Sequence, residues 1–185
     1  GEIPLKSTAL IFQGGIFLRK NGNNISVKSM RRPRPTCERV AFMVNNTVRL
    51  LGEIEKAAAF GRDSVKAVLK HVDNTELRRA LAVSRSEYSS VCDEAKNSLA
   101  QIGCRAGSNP QSVKLMMRTA VSAQLNRKRD ASAAAKMMIQ GCTMGNIELL
   151  RAMHSNPAAS PKAMHIANRA IAEQERTIEA MKRFL

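Results

Sequence analysis

Three histidines and four cysteines are the residues of this chain best suited to hold a metal or act as nucleophiles. A di-iron site built between helices takes a carboxylate three residues before a histidine, because one helical turn then points both ligands inward. Val68 precedes His71 at that spacing, Arg151 precedes His154 and Lys162 precedes His165, so none supplies the carboxylate. Glu53, Glu55, Glu87 and Glu94 are acids that a helical reading turns inward in part, although isolated helical acids usually stay solvated. Cys37, Cys92, Cys104 and Cys142 form no Cys-x-x-Cys pair and no histidine stands at finger-like spacing, which argues against a zinc module. Gly-x-Ser-x-Gly is absent as well. The expectation is a non-enzymatic protein with no catalytic residue, no metal site and no cofactor.

Two further groups bear on binding. Gly141 and Gly145 lie one turn apart in Gly-Cys-Thr-Met-Gly, without the Lys-Ser/Thr of a phosphate loop and with no strand before them. They are expected to let a neighbouring helix approach closely, so that Gly141→Leu overpacks. Cys142 falls inside the same apolar stripe and is expected to be inert. Methionines at 116, 117, 137, 138, 144, 153, 164 and 181 follow helical stripes, as soft core filler or as a partner-binding groove.

Charge adds a third possibility. Lys and Arg total 30 against 15 for Asp and Glu, a net charge of +15. Arg105, Lys114, Arg118, Arg127, Lys128, Arg129 and Lys136 concentrate seven bases against one acid, Asp130, between 105 and 136. They are candidate contacts for an acidic partner or for nucleic acid. Nucleic acid is not favoured, because single-strand binding uses aromatic platforms and the chain has no Trp and one Tyr.

The elements that position these residues read as helices. Val44, Leu51, Ala58, Val65 and Val72 recur every seven residues, with Ile54, Gly61 and Val68 between them. That helix is expected to stop at Val72-Asp73-Asn74, where Asp73 and Glu76 form a capping-box pattern. A second helix spans about 75–102, with Leu77, Leu81, Tyr88, Val91, Ala95 and Ile102 on one stripe and Gly103 as its stop. The forty-five residues from Pro110 to His154 are too long for one bundle helix. They divide into a short helix (about 110–127) and a main one (about 130–154) burying Ala131, Ala134, Ala135, Met138, Cys142, Gly145, Leu149 and Ala152 or Met153. In the last helix Ser160 caps, Pro161 opens the first turn, and Met164, Ile171, Ile178 and Leu185 repeat every seven, with Ala167 and Met181 between. Short links between long helices predict an all-α, antiparallel four-helix bundle over 43–185, with an extra short helix before the main third one.

Residues 1–42 read differently. They hold eight bases and two acids, an Asn-Gly-Asn-Asn run at 21–24 and Arg-Arg-Pro-Arg-Pro at 31–35. A small hairpin about Gly14 and Gly15 is possible over Ala9–Leu18, but the segment is expected to be a disordered or weakly ordered basic extension. A basic nucleic-acid arm or an organelle-targeting segment is the alternative. No run of eighteen apolar residues exists, so no spanning helix is expected. Four scattered thiols suit a reducing cytoplasm.

Two segments also resemble a known family. Phe60-Gly-Arg-Asp-Ser-Val-Lys-Ala-Val-Leu-Lys with Val72-Asp-Asn-Thr-Glu-Leu-Arg is one. Ala135-Lys-Met-Met-Ile-Gln-Gly-Cys-Thr-Met-Gly-Asn-Ile-Glu-Leu, with the closing Glu179-Ala-Met-Lys-Arg-Phe-Leu, is the other. They resemble small uncharacterised proteins of anaerobic, gut-dwelling Firmicutes, distantly similar to ferritin-like bundles. The likeness covers about 43–185 and is most specific at Met138–Gly145. It implies a four-helix fold and a bacterial cytoplasmic setting, and no reaction. Members are usually less basic, and the first 42 residues have no counterpart. The leading expectation is a cytoplasmic bundle that self-associates into a homo-oligomer or binds a helical protein partner through an apolar, Met-rich face, with no membrane partner. A nucleic-acid-associated protein and an atypical metal-binding ferritin relative are the alternatives.

Overall fold

The computed structural model describes residues 10–12, 16–21, 24–29, 37–105, 107, 119, 121, 122, 125 and 130–185. The chain divides into two units, Gly1–Val40 and Ala41–Leu185. The first holds three strands, β1 (Leu10–Phe12), β2 (Ile16–Asn21) and β3 (Asn24–Ser29), in an antiparallel sheet of order β1-β2-β3. Leu10 pairs with Leu18 and Phe12 with Ile16, the hairpin named as possible about Gly14 and Gly15, so the expectation of a disordered or weakly ordered extension does not hold for these strands. The third strand was not expected. Its signal is present in the sequence: Asn21 pairs with Asn24 across Gly22-Asn23, a two-residue Gly-Asn spacing typical of tight hairpins. The all-α expectation thus describes the second unit and omits the sheet of the first.

Four long helices follow: α1 (Cys37–Val68), α2 (Thr75–Gln101), α3 (Ala131–Ser155) and α4 (Pro161–Lys182). α1 starts earlier than its apolar period and ends before Val72. Val44 is 43 % exposed, and the buried seam begins at Leu50 and Leu51. Val72 is buried beyond the helix end. There Arg78 Nη1 donates to the carbonyls of Leu69 (2.7 Å) and Val72 (2.8 Å), satisfying acceptors that the helix end leaves open.

The cap of α2 is one residue later than the capping-box reading. Asn74 Oδ1 accepts from Leu77 N at 2.9 Å, so Asn74, not Asp73, is the N-cap. The other end stops as expected. Gly103 has φ +78°, Gly103 N donates to Ala100 O and Cys104 N to Leu99 O, the paired bonds of a glycine C-terminal stop. Ile102 is exposed rather than buried, because it already lies beyond the last helical turn. Asp130 caps α3 by accepting from Ser132 N, and Ser160 caps α4 by accepting from Ala163 N.

α4 packs against both α2 and α3. Its buried line runs through Ala163, Ile166, Ala167, Ala170, Gln174, Thr177 and Met181. Met164, Ile171 and Ile178 are only partly buried and Leu185 is exposed, so the expected heptad of large residues is shifted. Close approach to two neighbours puts alanines on the central line, and the larger side chains fill the flanks. Arg169 adds a polar tie, donating to Glu94 Oε2 at 2.5 Å and Ser90 Oγ at 2.7 Å on α2.

The apolar interior forms two clusters. One gathers Leu50, Leu51 and Ile54 of α1, Leu99 of α2, Leu149 of α3 and Ile166 of α4. The other joins Val65 and Val68, Leu77 and Leu81, Met138, and Met181 with Val121 and Leu125. Val121 and Leu125 are helical, four residues apart and buried; the rest of the short helix expected over 110–127 lies outside the described residues. No helix among the described residues is long and apolar enough to cross a membrane.

Candidate binding cleft

α1 and α3 form the walls of a cleft of about 1250 Å³. Val48, Gly52, Ala57, Phe60 and Gly61 line it from α1, and Met137, Gly141, Met144, Gly145 and Ala152 from α3. Tyr88 and Leu99 of α2 and Gln174 of α4 also line it. Phe60 and Met144 stand on its lips, 42 % and 57 % exposed, and Ile147 and Leu150 of α3, outside the lining, are exposed as well.

The glycines explain the shape of the walls. A Cβ at Gly61 would lie 3.2 Å from the Tyr88 ring, so this glycine admits the ring against α1. A Cβ at Gly145 would fall on the side-chain amide of Gln174, so this glycine makes room for a side chain of α4, where the sequence led to the expectation of close helix approach. Gly141 corrects that expectation. It is exposed, and a Cβ there meets no described atom within 4 Å; Gly52 on the opposite wall is half-buried, and a Cβ there likewise meets no described atom within 4 Å. The physical reason is angular: a residue four positions before Gly145 is displaced by about 40° around the helix, enough to turn it from α4 toward the cleft.

Tyr88 and Cys142, both buried, bring polar groups to the cleft lining, and further buried polar groups lie outside it. Tyr88 Oη and Cys142 Sγ are hydrogen-bonded at 3.2 Å, and Thr177 Oγ1 donates to Ser84 Oγ at 3.0 Å nearby. Burial pushes the Tyr88 hydroxyl and the Cys142 thiol above their ordinary pKa values. A thiol held protonated is a poor nucleophile. Cys92 is raised by burial too, beside Glu55, whose Oε1 lies 3.9 Å from Cys92 Sγ and 4.0 Å from Lys96 Nζ. Glu55 is buried and its Oε2 has no hydrogen-bond partner among the described residues. Glu173 is the other buried carboxylate among the described residues, paired with Arg176. Among the described residues no group of three or more His, Cys, Asp or Glu gathers as a metal site would require. Glu87 and Glu94 face Arg169, and Glu53 faces Lys56.

Charge is confined to the rim. Lys56 pairs with Glu53 at 2.9 Å and Arg151 with Glu148 at 2.7 Å, each within its own helix. Arg49 and Arg105 also line the cleft, and neither makes an ion pair among the described residues. Of the seven basic residues singled out in the sequence, Arg105 is thus brought to the cleft and Lys136 is exposed on α3. Lys114, Arg118, Arg127, Lys128 and Arg129 lie outside the described residues.

Sequence reading missed a second grouping. His71 Nε2 and Ser122 Oγ are 3.4 Å apart beside a pocket of about 240 Å³, which Asp63, Lys66 and Lys70 also line. The contact is long for an O–H···N bond, and no carboxylate among the described residues hydrogen-bonds His71 to orient it as a base. A separation of fifty-one positions along the chain hides the pair from any local motif.

Comparison with known proteins gives no match to a family model, a curated protein or a solved structure.

Proposed function

We propose that this chain is a non-enzymatic bundle that binds a partner in the α1–α3 cleft. One observation carries the reading: a cleft of about 1250 Å³ whose walls are apolar and whose lips expose Phe60 and Met144. Contiguous exposed apolar surface of this kind marks interaction sites, and methionine adapts to the shape of what it meets. The volume exceeds the roughly 300–1,000 Å³ of common small-molecule pockets. Each wall runs for about twenty residues, roughly 30 Å of helix, which suits an α-helix laid along the groove.

The bundle is proposed to be antiparallel and ferritin-like in arrangement. Support comes from six- and five-residue links at 69–74 and 156–160. It comes also from the core clusters, which join Val65 and Val68 to Leu77 and Leu81 but Leu50 and Leu51 to Leu99. The family relation rests on the residues quoted for it alone. Three free thiols, Cys92, Cys104 and Cys142, fit the proposed cytoplasmic setting.

The test uses a neutral apolar fluorophore, phenylnaphthylamine, titrated into the whole chain. Saturable binding that Gly141→Leu weakens, with helicity unchanged, supports the cleft. Absent binding, or binding indifferent to Gly141→Leu, contradicts it.

A further inference from the structure

We propose that the natural occupant of the cleft is an amphipathic helix with acidic flanks, supplied by another protein. This rests on the cleft reading above and specifies the partner's chemistry. The apolar side chains of the two walls, among them Ala57, Phe60, Met137 and Met144, ask for an apolar stripe. At Gly52 and Gly141, on opposite walls, a Cβ would meet no described atom within 4 Å, which leaves room among the described residues for a helix backbone to come close on both sides. The rim then selects the sign of the flanks. Its acids, Glu53 and Glu148, are already paired with Lys56 and Arg151, which leaves Arg49 and Arg105 without an ion pair among the described residues.

A second copy of this chain fits poorly in the same place. It brings a net charge of +15 and the same Arg49 and Arg105 on its rim, so closing two clefts on each other sets like charges face to face. An acidic partner instead meets Arg49 and Arg105 with opposite charge and is steered in by the field of the whole chain. Nucleic acid offers the right charge, but its phosphates have little to gain from walls built of Ala57, Phe60, Met137 and Met144.

The experiment compares two fluorescent twenty-residue helical peptides with one Leu/Ala stripe, one flanked by Glu and one by Lys. Binding is read by anisotropy at low and high salt. Two exposed ion pairs set the expected preference for the Glu peptide at about 2- to 30-fold, and salt shrinks it. Arg49→Glu with Arg105→Glu, both exposed, reverses the preference while the fold is kept. Gly141→Leu weakens both peptides. Equal binding, a preference for Lys flanks, or Glu-peptide binding untouched by Gly141→Leu overturns the proposal. So does a dimer in sedimentation that Gly141→Leu abolishes, since the occupant is then a second copy. Phenylnaphthylamine binding without peptide binding refutes the acidic helix alone, and loss of both refutes the cleft reading as well.

Discussion

Replacing Gly141 and Gly145 separately by alanine measures how differently two glycines one turn apart are used. Glycine inside a helix is about 1 kcal/mol less favourable than alanine, and this gain is common to both substitutions. At Gly141 the new methyl meets no described atom within 4 Å, so Gly141→Ala is expected to stabilise by most of that amount. At Gly145 the Cβ falls on the amide of Gln174, which is itself buried. Displacing a buried side chain costs about 1–3 kcal/mol, so Gly145→Ala is expected to lose between about zero and 2 kcal/mol after the propensity gain. The difference between the variants cancels propensity and isolates packing. At about 2–4 °C per kcal/mol for a chain of this size, Gly145→Ala should melt roughly 2–12 °C below Gly141→Ala. Gln174→Ala removes the obstruction, so the double variant should show a coupling of about 0.5–3 kcal/mol. Thermal unfolding followed by circular dichroism reads all four proteins. Equal melting points for the two single variants, or a marked loss at Gly141, would refute the assignment of these residues to different surroundings.

Asn74→Ala removes the α2 cap and should lower stability by about 0.5–2 kcal/mol in denaturant unfolding; no change would place the cap elsewhere. Arg78→Ala uncovers the carbonyls of Leu69 and Val72 and should cost about 1–3 kcal/mol by the same assay, whereas Arg78→Lys should recover part of it. Cys142 has its pKa raised by burial, so its contribution is intact below the unfolded thiol's pKa and is lost as pH rises toward the folded value. Stability should fall above about pH 8.5, by up to about 1.4 kcal/mol per pH unit for such a group, and Cys142→Ala should flatten the dependence of melting temperature on pH; an unchanged slope counts against a buried thiol.

The four helices were legible because their periods and terminal residues agree. Ser160-Pro161 and Gly103 mark their ends by local chemistry that tertiary contacts do not override. Where a choice between adjacent residues decided the outcome, local pattern was insufficient. Asp73 and Asn74 are both good caps, and only the exit path of α1, held by Arg78, selects Asn74. Heptad counting placed Met164, Ile171 and Ile178 on the buried line of α4, yet packing against α2 and α3 together favours alanine there. The cleft was half legible. Met137, Met138 and Met144 pointed to an apolar face, and Arg105 to a basic contact. The opposite wall, with Gly52, Phe60 and Gly61, comes from a helix about ninety residues earlier, which no spacing rule connects to Gly141. Small residues on a helix signal close approach by something, and sequence alone does not say whether the space is filled by Gln174, as at Gly145, or left open, as at Gly141.

The ten methionines offer the most direct measurement of the central claim, that the space between α1 and α3 is a binding seat. Isotope-labelled methionine methyl signals, followed by NMR while phenylnaphthylamine is added, report each stripe separately. Met137, Met138 and Met144 line the cleft, whereas Met164 and Met181 sit on α4 and do not. The account expects the first three signals to shift together and saturate while those of Met164 and Met181 hold still. Shifts at Met164 and Met181 with Met137, Met138 and Met144 unmoved would contradict it.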